Sequence, residues 1–151
     1  MYDILSGYTW DDIGVTYGFN TNVPIEMREK FHKAADDITG KTRLTLTESP
    51  TPDIFIGFAD TQGFLALAHY PGEFLISGDI FLSPELLQQP ERYQDFVVIH
   101  EFGHALGLGH TDRQDSVMTD NLTGMGVEQM STQLTPLDTW AIETSYRDIV
   151  G

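Results

Sequence analysis

The pattern of apolar and polar positions predicts five short strands, separated by turns and by longer helical segments. The strand segments are rich in β-branched, aromatic and other apolar residues, which alternate with polar residues over 43–47 and with small residues over 63–71. Proline, glycine, serine and asparagine stand between the strands, as is typical of turns. The predicted strands cover residues 15–17, 43–47, 53–58, 63–71 and 73–82.

Three longer segments carry apolar residues at helical spacing. The first follows Pro24 and is predicted to end at Gly40. The second runs from about residue 91 or 93 to 106, and the third starts at 134–136. Their apolar positions are Met27, Phe31, Ala34 and Ile38 in the first, Phe96, Val97 and Phe102 in the second, and Leu137, Ala141, Ile142 and Tyr146 in the third. Strands interleaved with helices predict the α/β class, with a twisted mixed sheet flanked by helices.

One stretch, HEFGHALGLGH from His100 onward, carries metal-binding chemistry. Residues four apart share a helix face, so His100 and His104 can both offer nitrogens to one zinc ion. Glu101 lies beside them, placed to bind a water on the metal rather than the metal itself. Gly107 can adopt the left-handed conformation that ends a helix, and the chain can then bring His110 back as a third ligand. Three histidine ligands leave a position for water, which is typical of catalytic zinc sites.

The composition indicates one folded domain and excludes several kinds of partner. A chain of 151 residues with 40% apolar content is long enough for one domain with a real core, and we assign residues 1–151 to it. A net charge of −15 excludes nucleic acid and anionic membranes, and no apolar run is long enough to span a bilayer. The absence of cysteine excludes disulfides and thiolate ligands. No signal peptide opens the chain, so we expect a mature form or an excised catalytic domain.

The histidine motif and the methionine that follows it resemble those of the metzincin zinc proteases. Their signature is H-E-x-x-H-x-x-G-x-x-H followed by a methionine turn, and Asp-Ser-Val-Met here ends at Met118. The segment around Trp10, the strand from Asp53 and the Leu-Thr-Pro-Leu-Asp opening at Leu134 are also similar to metzincin segments. The resemblance implies a metzincin-like α+β arrangement. Its active-site cleft would lie between an upper part, made of the sheet and helices, and a small C-terminal part.

Two departures place the chain between the matrixin and serralysin groups of metzincins. Leu67 and Phe81 stand where matrixins have histidine ligands for a second, structural zinc, so that site is predicted to be absent. Serralysins have a tyrosine ligand two residues after the turn methionine, but Asp120 stands there in this chain. Aspartate is too short to reach the ion from that position, so we expect it to turn away. His69 is interpreted as a structural or cleft-lining residue.

The resemblance implies a zinc endopeptidase with one catalytic ion held by His100, His104 and His110. Zinc would lower the pKa of a water, and Glu101 would act as the general base. Met118 is expected to pack beneath the metal. The substrate cleft is assigned to Ala66, Leu67 and Ala68 of the fourth strand and to Leu122, Met125, Val127 and Met130, an apolar wall for the substrate side chain after the cut bond.

Two alternatives stay open at this point. The first is a zinc-binding module that recognises peptides without cutting them, because the serralysin tyrosine is missing. The second is a metal-free interaction domain, which requires the histidine motif to be a coincidence. Calcium is possible, but no motif supports it. We expect a protein or peptide substrate, a monomer and, from the family resemblance, a secreted or extracellular location.

Overall fold

A computed structural model of the protein describes residues 4–150 and contains a five-stranded sheet. The strands are β1 (Gly14–Phe19), β2 (Thr45–Glu48), β3 (Ile54–Phe58), β4 (Ala66–Ala68) and β5 (Ile80–Leu82). Their order across the sheet is β2-β1-β3-β5-β4. Neighbouring strands are parallel except β4, which pairs antiparallel with β5 at one edge. The predicted mixed sheet of five strands is confirmed.

The sheet buries one face beneath two of the three helices. The helices are α1 (Ile25–Lys41), α2 (Glu91–Ala105) and α3 (Pro136–Ser145). In β3, Ile54 and Ile56 are fully buried, whereas Phe55 between them is exposed. In β1, the ring of Tyr17 packs edge-on against Phe102 of α2 and the ring of Phe19 packs edge-on against Phe31 of α1, so these two helices cover the buried face. No helix of the described part is long and apolar enough to cross a membrane.

The fourth and fifth strands are shorter than predicted. Of the segments 63–71 and 73–82, only β4 and β5 belong to the sheet, and the chain between them forms turns. The N–H of Gly78 donates to the carbonyl of Tyr70, which closes one of these turns. Leu75 is fully exposed there. The apolar run that predicts a strand in the sequence therefore lies on an exposed turn.

The end of the first helix is set by a threonine rather than by glycine. Gly40 lies inside α1, which continues to Lys41. The backbone N–H and the hydroxyl of Thr42 both donate to the carbonyl of Ile38, at 3.0 and 2.9 Å. These bonds satisfy a carbonyl group in the last turn of α1 and so end the helix. The predicted stop at Gly40 is therefore wrong by one residue.

Side chains from both ends of the chain fix the end of α2. The phenol of Tyr146, just after α3, donates to the carbonyl of Leu106 at 2.6 Å and accepts from the N–H of Trp10 at 3.2 Å. The indole N–H of Trp10 donates to the carbonyl of Ala105 at 2.9 Å. These bonds hold the backbone at the point where the chain leaves α2 and turns toward the third histidine.

Candidate metal centre and adjoining groove

Three histidine rings converge beside the last turns of α2. The Nε2 atom of His104 is 3.2 Å from Nε2 of His100 and 3.0 Å from Nε2 of His110. Nitrogens about 2.0–2.1 Å from a tetrahedral zinc ion lie about 3.3–3.4 Å apart, so this spacing fits one ion. Within residues 4–150, these are the only three His, Asp or Glu side chains grouped closely enough to share an ion.

Backbone carbonyls orient two of the three rings. Nδ1 of His100 donates to the carbonyl of Val117, and Nδ1 of His104 donates to the carbonyl of Leu108, both at 2.7 Å. A donating Nδ1 carries the proton, which leaves the Nε2 lone pair for a metal. Burial lowers the pKa of His100 to about 4 and the pKa of His104 to about 3. Both rings are therefore in the neutral form that binds zinc.

The turn that returns His110 to the other histidines depends on Gly107. Its φ is +106°, and an added side chain would overlap the carbonyl oxygen of Tyr8. The hydroxyl of Ser6 donates to the carbonyl of Gly107 at 2.5 Å. The left-handed conformation expected at this glycine is confirmed. The sequence pattern does not reveal the N-terminal segment that packs against the turn.

The methionine turn packs directly beneath the metal centre. Met118 is fully buried, and a Cβ added to Gly103 of α2 would overlap its sulfur. The absence of a side chain at position 103 therefore lets the thioether lie against the helix backbone. This contact agrees with a packing role for Met118.

A buried carboxylate holds the residues before Met118. Asp138, in the first turn of α3, is 0% exposed. It accepts from the hydroxyl of Ser116 at 2.5 Å and from the N–H of Val117 at 3.0 Å. Because the carbonyl of Val117 orients His100, one residue connects α3 to the metal centre. No feature of the sequence pattern signals this buried link.

Glu101 lies beside the histidines with its carboxyl group largely removed from water. It is 8% exposed and still lines the grooves described next. Burial raises the pKa of Glu101 to about 8. A carboxyl group with a raised pKa is a stronger base, so its position and surroundings suit proton transfer at the metal centre.

Two grooves share the histidine centre. One, of about 360 Å³, lies between α2 and the chain after the methionine turn and includes Leu122. The other, of about 410 Å³, follows β4 and includes Ala66, Leu67 and Ala68. These four predicted cleft residues therefore lie beside the centre. Three aromatic residues also line the grooves: Phe64, Tyr70 and Tyr93. The sequence does not predict them as site residues, because an aromatic side chain near a strand or helix end does not by itself indicate a site.

Three further predicted cleft residues, Met125, Val127 and Met130, do not line either groove. The N–H of Met125 donates to the carbonyl of Leu122, and Gly124 between them has a φ of +77°. The chain therefore turns back directly after Leu122, and Met125 packs against the hydrophobic core. Val127 begins the 3₁₀ turn Val127–Gln129. Met130, which ends this turn, is only 6% exposed and belongs to the core. Gly124 is the sequence signal for the turn after Leu122, and the assignment of Met125, Val127 and Met130 to the wall is corrected.

Comparison with known proteins identifies the family. The matrixin family model matches residues 9–147. The chain belongs to the matrixin family. Metalloendoproteinase 2-MMP of Arabidopsis thaliana is 34% identical over 137 residues, which cover 72% of this chain and 35% of the plant protein.

Mammalian relatives match as well. Matrix metalloproteinase-25 of Mus musculus is 39% identical over 84 residues, covering 44% of this chain and 14% of that protein. Matrix metalloproteinase-16 of Homo sapiens is 28% identical over 144 residues, covering 76% of this chain and 24% of that protein. The match thus covers 14% to 35% of the length of these three relatives. The likeness to serralysins stays a prediction.

This matrixin chain lacks histidine at the two positions assigned to a second zinc. Leu67 and Phe81 are partners across β4 and β5, and neither carries a metal-binding atom. Nδ1 of His69 lies 2.9 Å from the carbonyl oxygen of Asp79, and the ring of His69 packs edge-on against Phe81. A structural role for His69 agrees with these contacts.

Asp120 lies on the wall of the groove rather than among the metal-binding atoms. It is exposed, and it lines the same groove as His110 and Leu122. Its backbone N–H donates to the carbonyl of Thr111 at 3.0 Å. The group of side chains able to share an ion contains three histidines and not this carboxylate. The expectation that Asp120 does not bind the ion stays a prediction.

Proposed function

We propose that this matrixin chain is a zinc-dependent endopeptidase. The observation that carries the proposal is the convergence of three Nε2 atoms beside the buried Glu101, at the meeting point of two grooves. When bound by the three histidines, zinc supplies Lewis acidity that activates water and polarises a carbonyl. The donor set fits this ion, because neutral imidazoles are common zinc ligands.

The side chains of the metal centre have different roles in hydrolysis. Glu101 accepts a proton from the attacking water as its oxygen forms the new C–O bond, and it returns that proton to the amine nitrogen when the C–N bond then breaks. The carbonyls of Val117 and Leu108 keep His100 and His104 in one orientation throughout.

The edge strand β4 is proposed as the binding site for extended substrate. β4 is the last strand of the sheet, and its residues line the groove beside the histidines. An extended peptide can pair with such an edge by adding a strand. Leu122, with Phe96 and Val97 of α2, forms an apolar wall on the other side of the centre. We assign that wall to the substrate side chain after the cut bond.

A second candidate function is peptide binding without cleavage. It is favoured by Asp120, which stands where a phenol would stabilise the transition state in the serralysin arrangement. An exposed carboxylate near a developing oxyanion is unfavourable for catalysis. Measured hydrolysis distinguishes the two functions.

The test is cleavage of casein with and without a chelator. We expect cleavage by the purified chain, its loss on chelation and its return when zinc is added back. A His104→Ala variant should be inactive under every condition, because the metal centre loses its central ligand. Cleavage that persists after complete removal of metal would refute the proposal.

Several broader properties belong to the same proposal. We propose that residues 1–151 act as one catalytic domain, monomeric and located outside the cell. Family membership supports the location, and the single sheet with its packed helices supports one domain. A role for calcium remains a prediction without a structural argument.

A further inference from the structure

A stacked pair of tyrosines stands at one end of the groove along β4. The rings of Tyr8 and Tyr70 have centroids 5.4 Å apart and an interplanar angle of 13°. Tyr8 is 55% exposed and Tyr70 is 39% exposed. Large aromatic rings carry much of the binding energy at recognition sites, so an open pair beside a cleft suggests a contact surface.

The pair is continuous with the proposed substrate groove. Tyr70 lines that groove together with Ala68 and the three histidines. Its ring also lies edge-on to His104, with centroids 5.9 Å apart. A peptide bound along β4 and past the metal centre would therefore meet the phenol ring of Tyr70.

Backbone contacts hold both tyrosines in place. The carbonyl of Tyr70 accepts from the N–H of Gly78 at 3.2 Å. The N–H of Tyr8 donates to the hydroxyl of Ser6 at 3.1 Å, and that hydroxyl donates to Gly107. The pair is thus positioned before any ligand arrives, which reduces the entropy lost on binding.

We propose that the Tyr8–Tyr70 pair is a specificity platform that binds an aromatic side chain of the peptide substrate. The inference rests on the proposed function, because it requires a peptide along β4. Leu122 marks the end of the cleft assigned to residues after the cut bond, so the platform faces residues before it. Two nearly parallel rings favour a planar side chain that can stack or meet them edge-on, over an aliphatic chain of equal size.

The test measures peptide binding to a Glu101→Gln variant loaded with zinc, in which the expected loss of the general base slows cleavage enough for binding to be measured. Labelled peptides carry leucine after the intended cut position. At each earlier position in turn they carry phenylalanine, cyclohexylalanine or alanine. We expect phenylalanine at one of these positions to bind about 3- to 10-fold more tightly than alanine, and more tightly than the non-planar cyclohexylalanine.

Substitutions at Tyr8 identify the platform as the source of this preference. Tyr8→Ala should abolish the preference for phenylalanine, whereas Tyr8→Phe keeps the ring and should retain it. Because half of the Tyr8 side chain is in solvent, its removal should leave the fold intact. Trp140→Ala is the matched control: this tryptophan is 52% exposed on α3 and lines neither groove, so the preference should survive.

The outcomes separate the inference from the proposed function. Equal binding of the three peptides at every position, or a preference that survives Tyr8→Ala, would overturn the platform. A further outcome is that the chain without substitutions cuts no peptide while its Glu101→Gln variant binds phenylalanine peptides through Tyr8. That result would overturn the proposed endopeptidase function and support the platform. Failure of every peptide to bind would overturn both.

Discussion

Two buried carboxyl groups have different tasks at the scale of single residues. Glu101 faces the grooves, and burial raises its pKa to about 8, which suits a base. Asp138 has no exposure and accepts hydrogen bonds from Thr135 as well as from Ser116 and Val117. One carboxyl group is therefore available for chemistry, and the other is used entirely for positioning.

Replacing Asp138 should weaken both the fold and the metal centre. In Asp138→Asn an N–H₂ group replaces one acceptor oxygen, so the Ser116 and Val117 donors cannot both be satisfied as before. We expect a loss of about 2–3 kcal/mol in the free energy of unfolding and a zinc affinity about 10- to 100-fold lower. Urea denaturation and competition with a chelator measure the two effects.

Ser116→Ala is the milder comparison: it removes one donor to Asp138 and the acceptor of the Met118 N–H, but it leaves the bonds from Val117 and Thr135 to Asp138 in place. Its loss of stability should be smaller than that of Asp138→Asn. Unchanged stability and unchanged zinc affinity in Asp138→Asn would show that this link does not support the metal centre.

At the scale of elements, the contact between α2 and the methionine turn fixes how closely the two parts of the site approach. Gly103 leaves room for the sulfur of Met118, and Met118 is fully buried. Protein interiors are close-packed, so an extra methyl group here has little room. The turn that orients His100 depends on this close packing.

Gly103→Ala should therefore destabilise the chain although alanine is the better helix former. We expect about 1–3 kcal/mol of lost stability. Met118→Ala alone leaves a cavity and costs about 2–5 kcal/mol. In the double variant the new methyl group enters that space, so Gly103→Ala should cost less there. Thermal unfolding of all four proteins measures the coupling, and strictly additive losses would contradict the predicted overlap.

The elements also show which parts of the structure the sequence can predict. The strand at Ile54–Phe58 was predictable because β-branched and aromatic residues, which favour strands, fill most of it. Residues 74–76 misled the prediction, since Phe74 and Leu75 are apolar in sequence yet exposed on a turn. Turns there depend on hydrogen bonds between backbone atoms, which a pattern of residue types does not report.

The candidate site also contains features that the sequence predicts and features that only the folded structure shows. The pair His100 and His104 was predictable because helix geometry alone brings together residues four apart. The carbonyls that orient them belong to Val117 and Leu108, where any residue type could supply the same atom. The Tyr8–Tyr70 stack joins distant parts of the chain, so only the folded structure reveals it.

At the scale of the whole molecule, the grooves lie where the sheet, α2 and the chain after the methionine turn meet. The metal centre at this junction is the only group of three close His, Asp or Glu side chains in residues 4–150. Because His100 and His104 lie on α2 and His110 lies beyond its end, a bound zinc ion should hold these two parts of the cleft together.

The purified chain should carry one zinc ion. Leu67 and Phe81 offer no ligands at the position assigned to a second zinc, whereas the three histidines converge at the first. Elemental analysis by plasma mass spectrometry after gel filtration measures the ratio of zinc to protein. His104→Ala should reduce that ratio to near zero, and two tightly held ions per chain would contradict the assignment.

Hydrolysis of a fluorogenic peptide by Glu101→Gln is the most direct test of the proposed mechanism. Glutamine keeps the size of the side chain but cannot accept the proton, so zinc and fold should be retained. We expect a zinc content equal to that of the chain with Glu101 and a kcat/KM lower by about 10²–10⁴-fold. Near-normal hydrolysis by the zinc-loaded variant would contradict the role of Glu101 and, with it, the mechanism.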